Sequence, residues 1–372
     1  MKAIRILPTL CAALFFAMPV FAASGQSTGI ENALQKSANR IPVNDAAGLA
    51  TAIAVQEKHT DELMQRPGIH GTAVGIGADG SALLKIFADP SASVAGLPDT
   101  LDNLPVVIER LPPFFALNMD CAARGLKDCD AIAAAGTEPP SQVSWQPRPV
   151  PIGVSAGHVD VTAGTLGCRV TQGCHKYALS NAHVFADEND GVVGDHVLQP
   201  GPFDGGADPA DMIGTLYDSV PIVIGTTSAV KNKVDAAIVA TDASKVDMVT
   251  RSNGYGQPRT TTITPQVGLN VQKYGRSTAL THGYIDAINA IINVGYRAGT
   301  ARFIGQIVIK STNASVPFSI AGDSGSLIVV EGGTNARKPV GLLFASTSDN
   351  VYTLANPIND VLAAFDITID GD

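Results

Sequence analysis

The stretch Ala321-Gly322-Asp323-Ser324-Gly325-Ser326 runs directly into the apolar segment Leu327-Ile328-Val329-Val330, and the reading of the whole chain turns on it. A serine between two glycines at the head of a strand sits on a tight turn. Glycine tolerates the backbone conformations that such a turn demands, so the hydroxyl stands clear and backbone N–H groups can converge on one point, as the stabilisation of an oxyanion requires. Glycine and serine are also ordinary turn residues. The stretch therefore takes its meaning from what surrounds it.

Working outward, residues 152–365 carry many short strand-like runs broken by Gly, Asn, Asp and Pro: Gly164 to Val170, Lys176 to Ser180, Met212 to Leu216, Val234 to Ala240, Leu269 to Tyr274, Phe303 to Ile309, Ser326 to Val330 and Val340 to Ala345. Strands at this spacing, without helices between them, point to an antiparallel barrel or sandwich. Pro357 to Phe365 has the proline-first pattern of a short terminal helix.

Two of these runs end or begin on groups with chemistry. Tyr177-Ala178-Leu179-Ser180-Asn181-Ala182-His183 places a histidine just past the end of an apolar strand, where a rigid element can hold it while one ring nitrogen stays free. Lys233-Val234-Asp235-Ala236-Ala237-Ile238-Val239 places an aspartate at the head of another. A carboxylate buried there needs a partner, and an imidazole N–H is the natural one. Singly, each is more often a structural residue. Together they run in the order His, Asp, Ser, which differs from the orders in subtilisins and α/β-hydrolases. No histidine follows Ser324, and Ser326 breaks the G-x-S-x-G pattern of the latter.

On Gly164-Thr165-Leu166-Gly167-Cys168, Leu179 to His183, Val234 to Ile238 and Gly322 to Ser326, residues 160–365 resemble the chymotrypsin-like (trypsin-like) serine peptidases. Gln199-Pro200-Gly201-Pro202 and Tyr274-Gly275-Arg276-Ser277 are more similar to bacterial exported members than to digestive ones. The resemblance implies an all-β, double β-barrel fold with the triad in the cleft between the barrels. It implies Ser324 as nucleophile, His183 as acid and base, Asp235 as orienting carboxylate, and the N–H groups of Gly322 and Ser324 as oxyanion hole. The base of the specificity pocket is then Phe318, with a wall from Phe344, Ala345 and Ser346 where the family more often has Ser-Trp-Gly. Phe318 is neither acidic nor small, so the implied specificity is not cleavage after Lys or Arg. The family's cysteine after His183 is missing. Activation by a freshly cut N-terminus is needed only if Asp323 is not satisfied within the domain.

Composition bounds the rest. Met1-Lys2-Ala3-Ile4-Arg5, an apolar run to Phe21 and the small residues Ala22, Ala23 and Ser24 read as a signal peptide over residues 1–22, hence an exported, periplasmic or secreted protein. The formal net charge of −9 becomes two units more negative without Lys2 and Arg5, which disfavours nucleic acid as a partner. No later run approaches the roughly 20 apolar residues of a membrane span, so no membrane insertion is expected. Export removes Cys11 and leaves Cys121, Cys129, Cys168 and Cys174. Among the three possible connectivities, the local pairs Cys121–Cys129 and Cys168–Cys174 are expected.

Residues 23–115 read as a small α+β module, with a helix from Ala46 to about Gln65 capped by Asn44 or Asp45, a hairpin around Asp79-Gly80, and a third strand from Val106 to Leu111. It is either a pro-region or an accessory domain. Residues 116–151, rich in Pro and Ala, read as a linker, and residues 152–372 as the peptidase-like domain. No cofactor is expected. The scattered histidines have no zinc spacing, and the acidic run Asp187-Glu188-Asn189-Asp190-Gly191 lacks the EF-hand pattern of a calcium loop. The expected activity is endopeptidase chemistry on a protein or peptide substrate. A catalytically silent module holding a protein partner is the reading from another class.

Overall fold

A helix that must bury one face supplies residues every three to four positions, and the first element does so. The computed structural model describes residues 46–117 and 141–372. Helix α1 (Ala46–Met64) buries Ala52, Val55, Gln56, Thr60 and Leu63, while Leu49 and Ile53 are only half-buried. Its cap residues, the leader, and Cys121 and Cys129 lie outside the described residues. Pro67, which cannot continue a helix, follows its end. The buried polar residues of α1 are satisfied. Gln56 Nε2 donates to Asn289 O at 2.7 Å and to Thr72 Oγ1 at 3.1 Å, and Thr60 Oγ1 lies 2.7 Å from Thr72 Oγ1.

Strands β1 (Ile69–Ile76) and β2 (Ala82–Ala88) form an antiparallel hairpin whose turn is fixed by Asp79 Oδ1, acceptor of Ser81 N (3.0 Å) and Oγ (2.6 Å). β3 (Thr100–Leu101) pairs with β4 (Leu104–Arg110), which lies parallel to β2, and β5 (Phe114–Ala116) follows. Next come β6 (Val150–Ile152), β7 (Ser155–His158), β8 (Gly164–Thr165), β9 (Cys168–Gln172) and β10 (His175–Ser180). The short helix α2 (Ala182–Phe185) leads to β11 (His196–Leu198), β12 (Met212–Ser219), β13 (Ala237–Thr241) and β14 (Val246–Thr250). The remainder is β15 (Asn270–Gly275), β16 (Ala279–Tyr296), β17 (Gly299–Ser311), β18 (Leu327–Val330), β19 (Pro339–Thr347), β20 (Tyr352–Pro357), helix α3 (Ile358–Phe365) and β21 (Thr368–Ile369).

These strands build the all-β, two-barrel architecture that the resemblance implies, with a helix-containing N-terminal region. One eight-stranded sheet runs β21-β9-β10-β13-β12-β11-β7-β8. The other is eleven-stranded: β15-β18-β19-β20-β17-β16 closes on itself through β15–β16, continues from β16 into β1-β2-β4-β3, and takes β5 as a further strand on β16 and β19. The N-terminal strands thus extend the sheet of the second barrel, through pairs such as Gly71 opposite Ile292. The largest core cluster draws on both sheets, a second lies on the eleven-stranded one, and a third lies beneath α1. Among the described residues no helix is long and apolar enough to cross a membrane.

The Cys168–Cys174 disulfide is not formed; both are free thiols. The β9–β10 register puts His175 opposite Gln172, so Cys174 sits at the exposed hairpin tip, whereas Cys168 lies buried opposite Leu179 at the far end. Four residues of extended chain span about 13 Å, well beyond the roughly 7 Å a disulfide bridges.

A buried ionic cluster joins the N-terminal strands to the second barrel. Lys85 of β2 pairs with Glu109 of β4 (2.7 Å) and Asp286 of β16 (2.6 Å), Lys310 of β17 lies 3.3 Å from Glu109, and the Tyr352 hydroxyl of β20 bonds Glu109. Burial pushes the Glu109 carboxyl up, but Lys85, the Tyr352 hydroxyl and Lys310 outweigh it and bring the pKa from its ordinary 4.5 to about 2. A carboxyl depressed on folding contributes stability in full above its unfolded pKa and loses it as pH falls through the folded one. Urea unfolding across pH is therefore expected to show a loss of stability between 4.5 and about 2, a loss that Glu109→Gln reduces. Parallel curves for the two proteins through that interval would show that the cluster contributes nothing.

Candidate active site

The β10–β13 pairing sets Ser180 opposite Ala237, so the chain leaving β10 at Asn181 passes beside the chain entering β13 at Asp235. Asn181, extended at φ −76°, opens α2; its carbonyl accepts from Val184 N and its Nδ2 donates to Asp235 O at 2.8 Å. The Asp235 carboxylate is fully buried and takes four donors. Oδ1 accepts from Ala182 N (2.7 Å) and His183 N (3.2 Å), and Oδ2 from His183 Nδ1 (2.5 Å) and Tyr296 Oη (2.9 Å). A carboxylate at Nδ1 requires the proton there, which leaves Nε2 of the neutral ring as a lone pair. Nε2 is buried and has no hydrogen-bond partner among the described residues.

Ser324 comes from the second barrel, on the loop entering β18. Gly322 holds φ +92°, a conformation that strains other residues, and the turn is pinned by Asp323. The Asp323 carboxylate accepts from Ser277 N (3.0 Å), Thr278 N (3.1 Å), Thr278 Oγ1 (2.7 Å) and Ile320 N (3.0 Å), with Lys273 Nζ at 3.4 Å. Asp323 is thus satisfied within the domain. Burial pulls the Lys273 pKa down, and the Asp323 charge and hydrogen bond oppose that. Close by, Arg276 forks onto Asp204 at 2.7 and 2.5 Å.

Gly164 fits between the two halves: a Cβ there would lie 2.6 Å from the Val184 side chain and 3.2 Å from Ser324 O. The hydroxyl of Ser324 donates to Phe344 O (3.3 Å) rather than to His183. His183 and Asp235 are therefore joined directly, and Ser324 is held on the adjoining loop. All three are covered, Ser324 completely and His183 to within 2 %.

The expected pocket residues Phe318, Phe344 and Ser346 are buried. Phe344 packs against Phe303 (centroids 4.9 Å), Phe303 stacks on Tyr296 (5.9 Å), and Tyr296 meets the His183 ring edge-on (6.2 Å). This aromatic column, and the Tyr296 hydroxyl in particular, escaped the sequence reading. So did Asn356, whose Oδ1 accepts from Asp235 N at 3.0 Å.

A further group at the Ser324 loop comes from the N-terminal region. β5 pairs antiparallel with β19, setting Ala116 opposite Ala345 and Phe115 opposite Ser346, and parallel with β16. Beyond it, Leu117 N donates to Phe344 O (3.1 Å), and Gly322 N donates to Leu117 O (3.1 Å). The N–H of Gly322, one of the two expected oxyanion donors, thus already holds a peptide carbonyl. The acidic loop is occupied by protein: Arg297 reaches Asp187 (2.9 Å) and Asp190 (2.8 Å), and Arg297 N donates to Glu188 (2.9 Å).

Among known families, the Nal1 C-terminal domain matches residues 228–355. No curated protein matches the sequence. Solved structures with a similar path include Thermobifida fusca protease A (19 % identity, 60 % of this chain and 99 % of that one, TM-score 0.41). Cellulomonas bogoriensis chymotrypsin is similar at 18 % identity (60 % and 99 %, TM-score 0.39), and Nocardiopsis protease at 16 % (59 % and 98 %, TM-score 0.40).

The role of Tyr296 is open to a direct measurement. A hydrogen bond to a buried charge contributes about 1.5–3 kcal/mol, so Tyr296→Phe is expected to lower the unfolding free energy by that amount in denaturant titration. A loss below about 0.5 kcal/mol would show that Asp235 does not depend on it.

Proposed function

We propose that the chain is a serine endopeptidase. The observation that carries this reading is the convergence of three groups: a buried Asp235–His183 pair that leaves His183 Nε2 as a free base, the Ser324 loop beside it, and a Gly322 N–H bonded to a peptide carbonyl oxygen. In this reading, His183 Nε2 takes the Ser324 hydroxyl proton as Oγ attacks the carbonyl carbon. Asp235 holds the tautomer and offsets the imidazolium charge, and the N–H groups of Gly322 and Ser324 stabilise the oxyanion. His183 passes its proton to the leaving amine, and water then hydrolyses the ester. Phe318, Phe344 and Ser346 would line the pocket for the acyl side chain, and the apolar rings of Phe318 and Phe344 favour an uncharged one. Export guided by residues 1–22 belongs to the same proposal, since a peptidase of this acidity suits a soluble, exported setting.

One observation favours the silent binding module instead: Ser324 Oγ bonds Phe344 O, and His183 Nε2 has no hydrogen-bond partner among the described residues. A fluorophosphonate separates the two readings. The expected outcome is covalent labelling at Ser324, cleavage of an unfolded protein substrate, and a loss of more than about 10⁴-fold in rate in Ser324→Ala. A folded protein that neither labels nor cleaves would sink the endopeptidase reading.

A further inference from the structure

We infer that the chain carries its own first substrate: residues Phe114–Leu117 occupy the acyl half of the cleft, and the bond cut is that between Leu117 and Asn118. This inference rests on the endopeptidase reading and adds to it a processing site and a preferred side chain.

A peptidase cleft binds a substrate most simply by adding it as a strand to an exposed sheet edge, so that main-chain hydrogen bonds give the affinity and side-chain pockets the selectivity. β5 does this on β19, with Phe114, Phe115 and Ala116 opposite Thr347, Ser346 and Ala345. Continued by one residue, the register brings Leu117 to Phe344, and there the pattern becomes that of a residue presented for attack. Leu117 N donates to Phe344 O, the same atom that accepts from Ser324 Oγ, so the nucleophile and the residue to be attacked converge on one carbonyl. Leu117 O accepts from Gly322 N, where negative charge would develop as its carbonyl carbon becomes tetrahedral. A strand with a purely structural role has no reason to end with its carbonyl in that position.

The Leu117 side chain completes the placement. It is buried and belongs to the same apolar cluster as Phe318, the expected floor of the pocket, together with Val271, Ile285 and Leu343. A site of that composition takes a branched aliphatic side chain and rejects a charged one, because nothing in the cluster pairs with a buried charge. Occupation by this segment also accounts for the complete burial of Ser324 and the near-complete burial of His183. Other substrates are shut out until the segment leaves.

The chemistry balances with one water. Ser324 Oγ bonds to the Leu117 carbonyl carbon while its proton goes to His183 Nε2. The bond to the Asn118 nitrogen breaks as that nitrogen takes the proton. Water then attacks the Leu117–Ser324 ester, giving one proton to His183 and onward to Oγ, and leaves a carboxylate at Leu117.

The test uses the full chain, wild type and Ser324→Ala, followed by intact mass and N-terminal sequencing alongside fluorophosphonate labelling. The wild type is expected to yield fragments ending at Leu117 and beginning at Asn118, the Ser324→Ala chain to stay whole, and Leu117→Lys to be processed at least about tenfold more slowly. Processed protein is expected to hydrolyse the p-nitroanilide of the tetrapeptide 114–117 with a kcat/KM at least about tenfold above versions ending in Lys or Asp. This second measurement does not depend on how the Leu117 variant folds. A protein that labels at Ser324 and cleaves other proteins, yet stays whole, cuts itself elsewhere or shows no preference for the leucine peptide, overturns this inference and leaves the endopeptidase reading intact. Absence of both labelling and cleavage overturns the endopeptidase reading itself.

Discussion

The buried carboxylate of Asp235 is the constraint on which the rest of the site depends. Removing such an ion from water costs several kcal/mol, recovered only when every lone pair finds a donor. The donors here come from different parts of the chain. Two are backbone N–H groups of α2, one is the His183 ring, and one is the Tyr296 hydroxyl at the end of β16. The backbone of Asp235 is held in turn by Asn181 and Asn356. One ionised group thus ties β10, β13, β16 and β20 together, and any shift of one barrel against the other would strand a charge.

That tie also explains how a site shared by two barrels keeps its geometry. His183 is positioned from the first sheet and Ser324 from the second, so neither barrel alone holds the candidate site. The Ser324 turn has its own anchor in Asp323, whose acceptors are filled by the segment 277–278, Ile320 N and Lys273. With that carboxylate satisfied internally, the turn requires no freshly cut N-terminus to stay in place. The N-terminal strands are bound to the second barrel by the Lys85, Asp286, Glu109 and Lys310 cluster, and β5 by its own pairing with β16 and β19.

Much of the fold was legible. Short apolar runs between turn residues mark most of the strands, because a half-buried strand alternates and a buried one is continuous. The run Val234 to Ala240 becomes β13 only from Ala237, since Asp235 turns toward His183. β16 went unread because three register shifts and Asn289 at φ 51° break its pattern. The cysteine pair failed for a geometric reason: six residues are close in sequence, yet a two-residue hairpin turn puts them at opposite ends of a strand.

By itself the sequence singled out the candidate residues, through the order of His183, Asp235 and Ser324 and through the local turn that glycine permits around the serine. Those are local properties, encoded in spacing and backbone freedom. Only the tertiary structure decided that Tyr296 bonds the Asp235 carboxylate, that Phe344 O gathers both Ser324 and Leu117, and that β5 lies against β19 beside the Ser324 loop. These are register relations between segments far apart in the chain. Periodicity tells which face of a strand is buried, but not which distant strand will lie against it or which carbonyl will meet which N–H.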